Sequence, residues 1–252
     1  MSGSTGVMAV ILLEIAVGAA AVLWASRVWG AVRRGFFLLS GVTITACAAG
    51  ALAITASDVG AGPTTTALAV FTGLCVLWQV AQLIRADGVA RGLGMTAAAA
   101  GVVALPFFAQ LRDGGTPLAT VELALGALFL GSTLHGLLLG HWYLVERRLD
   151  KRHMVDSAWW YAAGVAAAIG TAALSAANPP PPAGPSFSPF LAVPGFSVLL
   201  AGGLVVICAI IAAFVWKLAR EGGRSIQAAT GYFYLAVIMA VSAEMSAKFR
   251  FF

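Results

Sequence analysis

Eight apolar stretches, each long enough to cross a lipid bilayer, take up most of this 252-residue chain and decide what it can fold into. They run over about 5–26, 35–56, 64–84, 92–111, 118–144, 157–177, 190–216 and 225–246. A helix of ~20 apolar residues rises ~1.5 Å per residue and so covers ~30 Å of hydrocarbon. The expected fold is therefore all-α, a polytopic membrane helix bundle of eight transmembrane helices. The fourth stretch is the weakest, being alanine-rich with Pro106 near its end, although membrane helices tolerate proline. The count of eight rests on it.

Composition points the same way. The chain is 60% hydrophobic and only 10% charged, against ~25% charged in a soluble domain. Ten acids and fifteen bases cannot clothe a water-facing surface of this size. The net charge of +5 does not argue for nucleic acid, because the bases sit in short clusters between apolar runs. The expected partner is the lipid bilayer. The N-terminus lacks the positive region of a cleaved signal peptide, so residues 5–26 are expected to stay as the first span.

The basic clusters set an orientation. Arg27, Arg33 and Arg34; Arg85 and Arg91; Arg147, Arg148, Lys151 and Arg152; and Lys217, Arg220 and Arg224 fall in alternate loops, twelve of the fifteen bases. The other loops and the termini keep only Arg112, Lys248 and Arg250. The positive-inside rule places the first set in the cytoplasm and both termini outside, in a cytoplasmic (inner) membrane. Trp24, Trp29, Trp78, Trp142, Trp159, Trp160 and Trp216 all lie beside the basic loops, which reads as a one-sided interfacial belt. The longest outer connection, Asn178 to Pro189, reads as a stiff polyproline II segment, a spacer or a docking surface.

An internal echo divides the chain into two four-helix halves, residues 1–112 and 113–252. Glu14-Ile-Ala-Val-Gly-Ala19 in span one answers Glu122-Leu-Ala-Leu-Gly-Ala127 in span five, and a fainter echo pairs residues 83–88 with 217–222. Four spans per half would make the repeats parallel about an axis along the membrane normal. Span five also carries Ser132, Gly136 and Gly140 at four-residue spacing, a stripe that lets another backbone come close.

Few residues are equipped for chemistry. Glu14 lies near the middle of span one, where a charged carboxylate costs roughly 2.5–3.5 kcal/mol. Glu14 and its echo Glu122 read as a proton or cation site, or as an interhelical hydrogen-bonding pair. Glu244, nearer the end of span eight, is expected to snorkel or cap. Span five ends in the most distinctive stretch, with His135, His141, Trp142 and Tyr143. The two histidines are six residues apart, about 240° around a helix, so they cannot chelate one metal. No metal site is expected. The four residues mark a vicinity suited to a haem or a quinone headgroup, or to interfacial anchoring, and Tyr232 and Tyr234 enter span eight from the same side. Cys47, Cys75 and Cys208 read as buried small hydrophobes.

No nucleotide loop, metalloprotease helix or nucleophile elbow stands in a usable context. The chain is not expected to be an enzyme on its own. The expectation is a small integral membrane subunit of a larger electron-transfer or energy-converting assembly, packed against other membrane subunits. The alternative is an autonomous proton-coupled or cation transporter built on Glu14 and Glu122.

Overall fold

A computed structural model describes residues 3–112, 116–146, 148–177 and 196–248. The polyproline stretch lies outside the described residues. Eight helices follow one another as α1 (Gly3–Ala25), α2 (Arg34–Val59), α3 (Pro63–Leu83), α4 (Asp87–Ala109), α5 (Thr116–Val145), α6 (Arg152–Ala177), α7 (Phe196–Glu221) and α8 (Ser225–Lys248). Seven are long and apolar enough to cross a membrane, the exception being α6. Its charged first turn and its Trp159-Trp160-Tyr161 run lower its mean hydropathy, yet it shares the length and packing of its neighbours. The uncertain fourth span forms as α4 with Pro106 inside its last turn. There the Thr64 hydroxyl of α3 donates to the Phe107 carbonyl at 2.8 Å, satisfying a group near the end of the helix.

Chain neighbours run antiparallel and pack into two sets. In the first, α1 to α4 contact in order and α4 returns to α1; in the second, α5 to α8 do the same and α8 returns to α5. The sets meet along α1 and α5, with α4 also against α5 and α8 against α1. These two central helices are the most buried of the spanning helices. Both are apolar on every side, as enclosed helices must be.

Glycine explains how closely they pack. A Cβ on Gly18 would sit 1.7 Å from the Ala127 carbonyl oxygen, and one on Gly131 would sit 2.0 Å from the Gly18 carbonyl carbon. Residue numbers rise together along this seam, so α1 and α5 are parallel. The predicted small-residue stripe is used differently. Gly136 receives the ring of Phe233 and Gly140 the side chain of Thr230, both from α8, while Ser132 stands against Gly164 of α6. Thus two of its three positions are sockets for side chains, and the central backbone approach lies at Gly131, one position away.

The tryptophans depart from a simple belt. Trp78 is fully buried, and Trp24 packs against it with ring centroids 5.9 Å apart. Trp24 also meets Trp29 at 5.0 Å, and Trp29 meets Phe37 at 4.7 Å. In the first set these rings fill the space between α1, α2 and α3, where their area is worth more than at a surface. Interfacial character survives in the second set, where Trp159 is exposed and Trp216 carries the Arg220 guanidinium 4.6 Å above its ring.

Candidate functional site: a buried ionic cluster

Three carboxylates and two cations meet inside the bundle, in the half away from the basic loops. Glu14 comes from α1, Glu122 from α5 and Glu244 from α8, and each is at most 3% exposed. Lys248, the last residue of α8, is equally buried and lies one turn beyond Glu244 on the same face. Its Nζ stands 2.8 Å from Glu14 Oε1 and 3.7 Å from Glu244 Oε2. Arg112 follows the end of α4, and its Nη1 donates to Glu122 Oε2.

Local packing holds the cluster. The Glu14 carboxylate lies over Gly126, where a Cβ would come within 2.4 Å of Oε1. A Cβ there would have to displace the end of the Glu14 side chain from its place between α1 and α5. Glu122 is one turn further toward the start of α5, so the two acids of the sequence echo both face the interior but hold different cations. Glu14 Oε2 and Glu244 Oε2 are buried and accept no hydrogen bond among the described residues.

Glu244 is a correction to the snorkelling role expected of it. The Lys248 ammonium draws it inward, and Ala243 and Ala247 beside it leave room for neighbouring helices. Sequence reasoning also missed Arg112 and Lys248, which counted only as stray bases at the outer side. The i, i+4 spacing of Glu244 and Lys248 was the available signal.

The charges of the described side chains do not cancel. Among the described residues, three carboxylates face two cations, an excess of one negative charge in a medium where an uncompensated ion costs several kcal/mol or more. One added proton, or one small cation, neutralises the set. That is the chemistry the arrangement can perform.

The aromatic stretch of α5 is divided among different surroundings. His135 is buried, edge-on to Phe36 of α2 at 6.0 Å, with no hydrogen bond to Nε2 among the described residues. His141 is exposed, its Nδ1 3.4 Å from Tyr234 Oη. Trp142 packs over Gly35, and its Nε1 donates to Glu146 Oε2 at 3.0 Å; Glu146 in turn holds Arg33 at 3.0 Å. The Tyr143 hydroxyl donates to the Asp150 carbonyl. Thus Phe36 touches both His135 and Trp142, while His141 and Tyr143 face elsewhere. No group of three or more metal-ligating side chains occurs among the described residues.

Gln79 and Gln82 of α3 are buried polar residues that sequence reasoning also passed over. Gln79 packs into the notch at Gly41, and both Gln82 polar atoms lack a hydrogen-bond partner among the described residues. Comparison with protein-family models, curated proteins and solved structures finds no match to this chain.

Proposed function

We propose that this is a proton-handling integral membrane protein, a proton-coupled transporter in which Glu14 is the site of the exchanged proton. The observation that carries the reading is the unequal charge of the buried cluster among the described residues, Glu14, Glu122 and Glu244 against Arg112 and Lys248. Lipid-depth carboxylates are costly, and retaining three around two cations is sensible where a proton must come and go. The protein sits in a cytoplasmic membrane with its basic loops inside and both termini outside, which puts the cluster in the outer half. The two helix sets derive from one duplicated four-helix unit, with α1 and α5 as the equivalent central helices.

The test is proton movement in liposomes carrying an internal pH-sensitive dye. Wild-type protein collapses an imposed pH gradient when supplied with its cargo, or takes up one proton per chain on a pH jump in detergent. Glu14→Gln removes the excess charge and with it the proton. Unchanged uptake in a folded Glu14→Gln variant would sink the reading.

A second reading, a subunit of an electron-transfer or energy-converting assembly, draws on the buried Nε2 of His135, which has no hydrogen-bond partner among the described residues. It predicts stable partner chains on gentle extraction and a haem band, in a reduced-minus-oxidised spectrum, that His135→Ala abolishes.

A further inference from the structure

Glu244 lines a crevice of about 30 Å³ between α6, α7 and α8, bordered by Thr171, Ala172, Val198, Ala201 and Ala247 among others. It lies in the half of the bundle away from the basic loops, one to two turns from the start of α7 at Phe196. A space of that size has room for a water molecule or a hydronium ion. Its walls on α6 and α7 carry no charge, and the Thr171 hydroxyl is committed to the Ala167 carbonyl at 3.2 Å. Glu244 is the ionisable group at this crevice. It is 3% exposed, and its Oε2 accepts no hydrogen bond among the described residues.

We propose that the crevice between α6, α7 and α8 is the proton access route to the cluster, with Glu244 as the first acceptor and Lys248 as the relay to Glu14. This rests on the proton-handling reading above. The relay balances: a hydronium in the crevice protonates Glu244 and leaves water; the Lys248 ammonium gives one proton to Glu14 and takes one from Glu244. The lysine ends as it began, and the proton has moved from one carboxylate to the other. Lys248 Nζ already stands between the two acids, 2.8 Å from Glu14 and 3.7 Å from Glu244. Among the described residues, the other charged groups facing the relay are Glu122 and Arg112, which form an ion pair with each other.

The route separates rate from amount. Ala201→Leu fills the crevice without changing any charge, so the cluster still takes one proton but slowly. The experiment is a pH jump on the full-length protein in detergent, followed by a water-soluble pH dye, with the amount and the rate of uptake read together. Ala201→Leu is expected to slow uptake at least tenfold while leaving its amount unchanged; Ala247→Leu, at a more open wall position, serves if the first variant does not fold. Gly73→Leu, on an open flank of α3, is the control and keeps the wild-type rate. Wild-type rates in both crevice variants would overturn the route, even if Glu14→Gln still abolished uptake. Absence of any uptake by the wild-type protein would overturn the proton-handling reading and the route together.

Discussion

Lys248 Nζ lies 2.8 Å from Glu14 Oε1, so the last residue of α8 is tied through the protein interior to the middle of α1. Without the lysine, Glu14 and Glu244 would lose the ammonium that stands between them. Breaking a buried ion pair by removing one partner costs about 3–5 kcal/mol, whereas replacing both partners with neutral groups is often nearly neutral. Lys248→Met alone should therefore lower the thermal midpoint in detergent sharply. Lys248→Met combined with Glu14→Gln and Glu244→Gln, which neutralises both acids facing the lost ammonium, should recover more than half of the loss. Equal loss in the single and triple variants would mean that these contacts carry no coupling.

The seam between α1 and α5 makes a graded test of packing. Gly18→Ala places a Cβ 1.7 Å from a backbone carbonyl oxygen, which cannot swing away, and should cost about 1–3 kcal/mol or more. Gly126→Ala meets the end of the Glu14 side chain at 2.4 Å, which can move. It should cost less stability but perturb proton uptake. Gly73→Ala meets nothing within 4 Å and should be neutral or slightly stabilising. Thermal midpoints that fail to fall in this order would contradict the close approach.

Much of the architecture was legible because lipid imposes a simple rule. Runs such as residues 5–26 must be helical, so spans and basic loops followed directly. Glu14 stood out for the same reason, a carboxylate in the middle of an apolar run. Its partner did not, because Lys248 lies 234 positions away and looked like a flanking base at a span end. Only packing of α8 against α1 brings that ammonium inward. Trp78 misled in the converse way: its sequence position next to a basic loop matched an interfacial anchor, but the pitch of α3 turns it into the core.

His153, at the start of α6 beside the basic loop, provides a pH probe outside the spans. Burial, and next the Arg152 charge, push its imidazole below the ordinary value of 6.5, despite the opposing pull of Asp150 and Asp156. The folded state thus holds His153 neutral where the unfolded chain would protonate it. As pH falls below 6.5 the unfolded chain binds the extra proton and stability declines; above it this effect vanishes. His153→Gln should flatten the pH dependence of the thermal midpoint on the acid side. A slope unchanged by the substitution would assign the acid sensitivity elsewhere.

On the proton-handling proposal, orientation decides which compartment supplies the proton, and it is open to direct chemical test. The antiparallel order of chain neighbours puts the α2–α3 turn and the α3–α4 turn at opposite ends of the bundle. With the basic loops inside, Asp58→Cys near the end of α2 should react with a membrane-impermeant maleimide on intact cells. Gly88→Cys, between Arg85 and Arg91, should react only after permeabilisation. The native thiols add little background, since Cys75 and Cys208 are buried and Cys47 is half-buried, and all three can be replaced by alanine. The reverse labelling pattern would place the Glu244 crevice in the cytoplasmic half and make the cell interior its proton source. Labelling of both positions from one side would break the alternation and, with it, the requirement that α3 spans the membrane.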